Sequence, residues 1–537
     1  MSEKILDAEA GHASHDLPPV ADSAQLKEET AASSPLSTTA CSTNSLTDSD
    51  AEAEKRLVRK IDFTVFPILF VVYMLSFLDR INISNARIQG LTDDLDLSGN
   101  RFNIALFVYF IPYILLEIPS NMIIRNVRPS LYLGGLMFFW GIINMCMGFV
   151  HSYEALVALR FLLGVFEAGV MPGIVYLTSM YYKRHEFQTR MSFFFCSTLV
   201  GGAFGGLLAY AIAHMGGFAG LAAWRWIFII EGAVTAIVSW CAAFLIVDWP
   251  EQCQFLTAHE IALLKKRLAD DGADIARMDT LNAYAYKLIL HDWKIWLGSL
   301  IYVSVLPFIT GLLSSFALAS MGVGITGYST TFFMPTILKE FGWTAQSAQV
   351  HTIPVYAVCA VGMLAAAWAS DRVRHRYGFV MVGVVISTFG YGVLLSQSAS
   401  PQLSADPPSE AKYAAIFFAA LGGYISTPLA LAWLSNNLSG HWKRAFGSGI
   451  QVAIGNLAGV VASNIFIEHE SPAYKTGYSV ALAMTWIGGL AATALWVLLR
   501  RENRLREGGV RDGRLAGATR DEVENMGDHH PAFRFTL

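Results

Sequence analysis

The chain has 537 residues, 54% of them hydrophobic and 15% charged, against roughly 25% charged residues in a soluble domain. A formal charge of -4 leaves no broad basic field and excludes a nucleic-acid binder. The apolar residues suffice for about a dozen spans of ~20 residues each, so the sequence predicts an all-α polytopic membrane protein.

Residues 1–54 hold fourteen Ser or Thr, eleven Asp or Glu and two Lys. Such a stretch buries no core, and 1–60 reads as a disordered cytosolic tail, either simply solvated or a target for phosphorylation or ubiquitin. It is no secretory signal, because the first apolar run begins only near Ile61. Spans follow at about 62–88, 103–124, 131–150, 154–180, 191–213 and 226–247, giving a first six-helix bundle over 61–247. A polar stretch, 248–292, reads as a cytosolic central loop carrying an amphipathic surface helix around Glu260–Leu268. The second bundle, 293–500, has clear spans at about 351–370, 378–397, 412–434, 445–467 and 478–499, and 501–537 reads as a cytosolic tail. The six cysteines show no paired spacing, and neither a disulfide frame nor a zinc motif is visible.

The apolar region 295–338 is 44 residues long, too many for one helix and about enough for two. Loop charge decides between them. With one crossing there, ten cations (Arg125, Arg128, Lys183, Arg184, Arg190, Arg372, Arg374, Arg376, Lys443, Arg444) fall on one side and five (Arg101, Arg225, Lys339, Lys412, Lys475) on the other. An extra crossing reverses this bias for the second half, so the positive-inside rule selects twelve spans with both termini cytosolic. The surplus, Val303 to Ser320, is then a kinked, re-entrant or displaced insertion, or a retained intron.

Ionisable groups within spans are costly and mark function by default. Asp79 and Arg80 interrupt the first span; Arg160 and Glu167 lie in the fourth, on one face with Gly164, whose missing side chain leaves room between them. About 10 Å separates Arg160 from Glu167 along the axis, so each seeks a partner on another helix, and the first span offers one of each sign. The four charges sum to zero. Protonating either carboxylate leaves the cluster one unit positive and recruits an anion, a route to proton coupling. The alternative is a structural ion-pair network, a poor choice as simple glue because buried pairs add little net stability. Glu117, beside Pro119, and Glu231 read as structural, gate or interface groups.

The runs Leu78–Ala86, Arg160–Gly169, Trp224–Gly232 and Asn436–Arg444 resemble the anion:cation symporters of the major facilitator superfamily, over about 60–500, and most of all its fungal nicotinate and allantoate permeases. The resemblance implies the major facilitator superfamily fold, 12 transmembrane helices in two six-helix bundles around a cavity that opens alternately to the two faces. It implies proton coupling at Asp79 and Glu167 and substrate binding at Arg80 and Arg160. Ser370-Asp371-Arg372 resembles the superfamily's cytoplasmic gate signature, whereas Ser120-Asn121 lacks its usual aspartate. The fifth span lacks the proline of the antiporter motif, which favours uptake over export.

A carboxylate suits two buried guanidiniums, which bind it bidentately and stay charged when desolvated. Gln451 and Asn456 are candidates for polar substrate contacts and Tyr328 for stacking on a planar ring, with helix-to-helix hydrogen bonds as the alternative for each. The expected partners are a small organic anion, a proton and the lipid bilayer; no cofactor or metal is implied, and the chain is expected to be a monomer in the plasma membrane. Nicotinate leads, with allantoate, biotin, pantothenate and aromatic acids open. A non-transporting nutrient sensor is the competing class, while no motif supports an enzyme. The sequons at Asn82 and Asn437 read as chance matches.

Overall fold

In a bilayer every backbone N–H and C=O must be paired inside the segment that carries it, so apolar runs of this length fold as helices. The computed structural model describes residues 48–124, 126–272, 292–302, 323–373, 375–399, 409–439, 441–516, 523 and 526–537. Every long regular element among them is helical. One compact unit covers Glu54–Leu537; of the separate stretch Met1–Ala53, only the last residues are described, as the first turns of a helix.

The helices of the first half are α1 (Asp48–Ala86), α2 (Arg101–Phe107), α3 (Phe110–Ile124), α4 (Pro129–Met147), α5 (Tyr153–Glu167), α6 (Val170–Ser179), α7 (Arg184–Ala213) and α8 (Ala223–Leu245). After the amphipathic α9 (Ala258–Gly272) come α10 (Trp293–Tyr302), α11 (Val323–Glu340), α12 (Ala345–Val373), α13 (Arg376–Ala399), α14 (Ser409–Asn436), α15 (His441–Ile465) and α16 (Lys475–Glu507). With α2–α3 and α5–α6 each counted as one interrupted span, and α10 and α11 taken as the two flanks of another, the described helices are consistent with the expected twelve crossings. Nine helices among them are individually long and apolar enough to cross a bilayer. The surplus at 303–320 lies outside the described residues; the segments on either side of it are both helical, as α10 and α11.

Large apolar side chains such as Phe63, Trp240, Phe244 and Val361 point outward, as they do when lipid is the solvent. Within the first half α4 packs along α8, and within the second α13 packs along α14. The halves meet along two seams, α7 against α12 and α2–α3 against α15.

One terminal expectation needs correction. Residues 48–60, assigned to the disordered tail, are helical, because α1 begins at Asp48 and its polar start is held by ion pairs. Glu54 accepts from Lys183 at 2.6 Å and from Arg267 of α9 at 2.7 Å, and Lys60 pairs with Glu260 at 2.8 Å. At the other end, the described residues 526–537 fold back onto the second half. Asn437 brackets Thr536, accepting from its N–H at 2.8 Å and donating to its carbonyl at 3.1 Å, while Phe535 is buried. Asp528 accepts from Lys443 at 2.7 Å and from Lys294.

The two ammonium groups beside Asp528 hold its carboxyl at about 2, below its ordinary value. A depressed carboxylate stabilises docking above its unfolded-state value near 3.8 and ceases to do so only as pH falls through about 2. The docked tail is therefore expected to survive mild acidification, whereas Asp528→Ala, which leaves two buried ammoniums to share Asp292, should release it. Limited proteolysis reads this out: cleavage near the C-terminus should accelerate in the variant, and unchanged protection would refute the latch.

Candidate functional site

Residues one apart on a helix point about 100° away from each other, whereas residues four apart share a face. On α1 this sends Asp79 and its neighbour Arg80 into different pockets. Ser76 and Arg80 face α5, and both reach Glu167: Arg80 Nη2 lies 2.5 Å from Glu167 Oε1, and Ser76 Oγ donates to the same oxygen at 2.5 Å. Glu167 is the last residue of α5, at the break before α6, and its Oε2 has no hydrogen-bond partner among the described residues.

Asp79 sits elsewhere, between α1, α4 and α8. Its Oδ1 accepts from Asn144 at 2.7 Å and Asn82 at 3.4 Å; its Oδ2 accepts from Thr235 at 2.8 Å and Trp140 at 2.9 Å. The expectation of one four-charge cluster is thus corrected. Three of the charges gather at the centre, and Asp79 is held apart by four neutral donors.

Arg160 is 0% exposed and forms no ion pair among the described residues. Its Nε donates to the Ala105 carbonyl at 3.3 Å, while Nη1 and Nη2 have no partner among the described residues. The Tyr109 ring lies against both guanidiniums, 5.5 Å from that of Arg160 and 5.3 Å from that of Arg80, and Tyr113 covers Arg80 from 5.2 Å. Gly164 has a different reason from the one the sequence suggested. A Cβ there would come within 2.1 Å of the Tyr109 carbonyl oxygen, so this glycine lets α5 press against the start of α3 rather than making room between two charges.

The centre extends into the second half. Arg80 Nη1 donates to the Tyr328 hydroxyl at 3.4 Å, Tyr328 donates to Asn456 Oδ1 at 2.7 Å, and Asn456 Nδ2 donates to Glu117 Oε2 at 3.4 Å. Glu117, buried on α3, is therefore tied to the same network and is more than a neighbour of Pro119. Tyr328 stacks on Phe332 with centroids 5.7 Å apart and meets Phe110 edge-on at 5.4 Å. Its ring thus serves the wall of the site, not the open stacking surface expected for a planar substrate.

The remaining sequence candidates lie outside this centre. Gln451 is fully buried and donates to the Ala430 carbonyl at 3.3 Å, a helix-to-helix bond. At the gate signature Arg376 donates to Asp371 at 3.2 Å, whereas Arg372 lies over the Trp368 ring at 4.8 Å. A narrow cavity between α1, α7, α11 and α12, bounded by Asn85, Thr331, Thr352 and Tyr356, opens beside the centre. Asn82 and Asn437 are both buried, which fits their reading as chance sequons.

Residues that sequence reasoning missed include Ser76, Tyr109, Tyr113, Trp140, Asn144 and Thr235. Asn144 carried a signal, since an amide inside an apolar span asks for a polar partner. Trp140 lies four residues away on the same face.

The profile described as Major Facilitator Superfamily matches residues 69–329. An uncharacterized transporter of Schizosaccharomyces pombe is 32% identical over 493 residues, covering 91% of each chain. The chain belongs to the Major Facilitator Superfamily. A second relative within it, the MFS-type transporter cnsO of Penicillium expansum, is 31% identical over 494 residues, covering 90% of this chain and 91% of that one. Among solved superfamily structures, a D-xylose-proton symporter superposes with a TM-score of 0.57 at 15% identity, covering 81% of this chain and 97% of that one. A bacterial homologue of the human lysosomal transporter Spinster gives 0.55 at 15% identity, with 83% and 97% covered. Membership makes this a multi-pass membrane transporter of small solutes and not an enzyme.

Proposed function

We propose that this superfamily member couples proton entry to the uptake of a small organic anion, a carboxylate such as nicotinate, by alternating access, as a monomer in the plasma membrane. One observation carries the reading. Arg160 is a fully buried guanidinium with both terminal nitrogens unpartnered among the described residues, and an uncompensated charge at that depth marks a place for a ligand to complete. The fork geometry of those nitrogens suits the two oxygens of a carboxylate. The aromatic walls from Tyr109, Phe110 and Phe332 suit a flat ring behind it.

Proton coupling follows from Glu167. Its free Oε2 is a place for a proton, and protonation removes the charge that holds Arg80. Two guanidiniums then face the incoming anion. Arg80, Arg160, Glu167 and Glu117 sum to zero; one added proton leaves one positive charge, and a monocarboxylate restores neutrality. Asp79, which shares α1 with Arg80, would bind its proton at a second, separate place. Asp371 and Arg372 retain a proposed part in gating at the end of α12. Allantoate, biotin and pantothenate are carboxylates that the same pair of arginines could hold.

The test is a panel of radiolabelled small acids offered at two pH values to cells lacking their own carriers. Accumulation at acidic pH that a protonophore abolishes is the expected result. Binding of an acid without accumulation would overturn the transport reading and make the protein a sensor.

A further inference from the structure

The pocket that isolates Asp79 holds a second carboxylate with no assigned role. Glu231 of α8 is 2% exposed, and neither of its oxygens has a hydrogen-bond partner among the described residues. Its polar neighbours are Asp79 and Asn82. Asn82 Nδ2 is committed to Asp79 Oδ1, while Asn82 Oδ1, an acceptor, is itself unpartnered. A buried carboxyl that no donor reaches is held at least cost in its neutral form.

Every nearby charge is already engaged. On α1, Arg80 turns to Glu167; beyond it, Arg87 lies over the Phe102 and Phe333 rings. On α8 itself, Arg225 donates to the Gly148 and Val150 carbonyls. From α4 the groups facing the pocket are Trp140 and Asn144, both neutral, and both are bound to Asp79; the ionisable residues on that helix are Tyr132, hydrogen-bonded with Ser120, and Cys146. On α7, Arg190 is held by Asp62. The backbone also leaves little space for a counter-ion: a Cβ at Gly232 would come within 2.3 Å of the Met145 nitrogen, so α8 lies directly on α4. Two carboxylates in one dry pocket without a cation cannot both ionise. The four donors on Asp79 place the negative charge there.

We propose that Glu231 is a second proton-binding carboxyl, coupled to Asp79 in the pocket they share and distinct from the Arg80–Glu167 centre. The proton sits on a Glu231 oxygen while Asp79 keeps the negative charge; the two carboxyls titrate as one unit. Its service to transport rests on the proton-coupled reading above, but proton binding itself does not, and the experiment separates the two.

Infrared spectra of the full chain in nanodiscs, recorded as pH is raised stepwise, show protonated carboxyls by their C=O stretch. Glu231→Gln is expected to remove one such band. In Asp79→Asn the same band should persist but bleach at a more acidic pH, by on the order of one unit or more, because the neighbouring charge that favours the neutral acid is gone. A wild-type spectrum unchanged by Glu231→Gln, or a Glu231 band indifferent to Asp79→Asn, would overturn the proposal. Should the glutamine variant fail to fold, the Asp79→Asn displacement alone decides the matter. Loss of pH-driven uptake plays no part in the readout, so failure of the transport reading would leave an infrared result in either direction intact.

Discussion

Arg160→Lys is expected to lower the kcat/KM for carboxylate uptake roughly 10- to 100-fold while keeping the positive charge, the loss of about 1.5–3 kcal/mol associated with a charge-assisted hydrogen bond. Lysine offers a compact ammonium on a flexible stem, with no planar fork to engage two oxygens at once. It also lacks the Nε that bonds the Ala105 carbonyl at 3.3 Å and fixes the guanidinium plane. Initial uptake rates across substrate concentrations, normalised to surface expression, provide the check. Wild-type kinetics in the lysine variant would mean that Arg160 supplies only charge, and bidentate recognition would have to be abandoned.

Glu167→Gln is expected to separate binding from accumulation. The amide imitates the protonated acid, so Arg80 is released at every pH. Anion binding should become nearly independent of pH, at the affinity the wild type reaches only in acid, and concentrative uptake should collapse while exchange of labelled for unlabelled substrate continues. The variant also leaves Arg80 as an uncompensated buried charge, which costs about 3–5 kcal/mol when one partner of a buried pair is removed. Its melting temperature should fall and then recover as anion is added, because a ligand that binds only the folded state stabilises it by mass action. Retention of the normal pH dependence of uptake would remove Glu167 from the coupling mechanism.

The fold was legible because the constraint behind it is severe. Apolar runs in lipid have one local solution, and the loop cations then fix how many crossings there are. The four buried charges were legible for the same reason, since Asp79, Arg80, Arg160 and Glu167 interrupt sequence that has no other cause to be polar. What each charge touches depends on helix rotation and on distant elements, and composition records neither. Part of the answer was nonetheless present: Asp79 and Arg80 are adjacent, and adjacent positions on a helix cannot share a pocket. The same periodicity pairs Ser76 with Arg80 and Asp79 with Asn82. Nothing local could have told that Arg376 reaches Asp371, because the helix end between them decides.

The polar chain across the centre has unequal links. Tyr328 and Asn456, both of the second half, are joined at 2.7 Å, whereas each of the contacts they make to the first half, with Arg80 and with Glu117, measures 3.4 Å. Long hydrogen bonds near the geometric limit yield first. When the halves rock, Tyr328 and Asn456 should therefore travel together as one jaw, parting from the arginine and the glutamate at little cost. A substrate that substitutes for either long contact would change the ease of that parting, and so would set turnover as well as affinity.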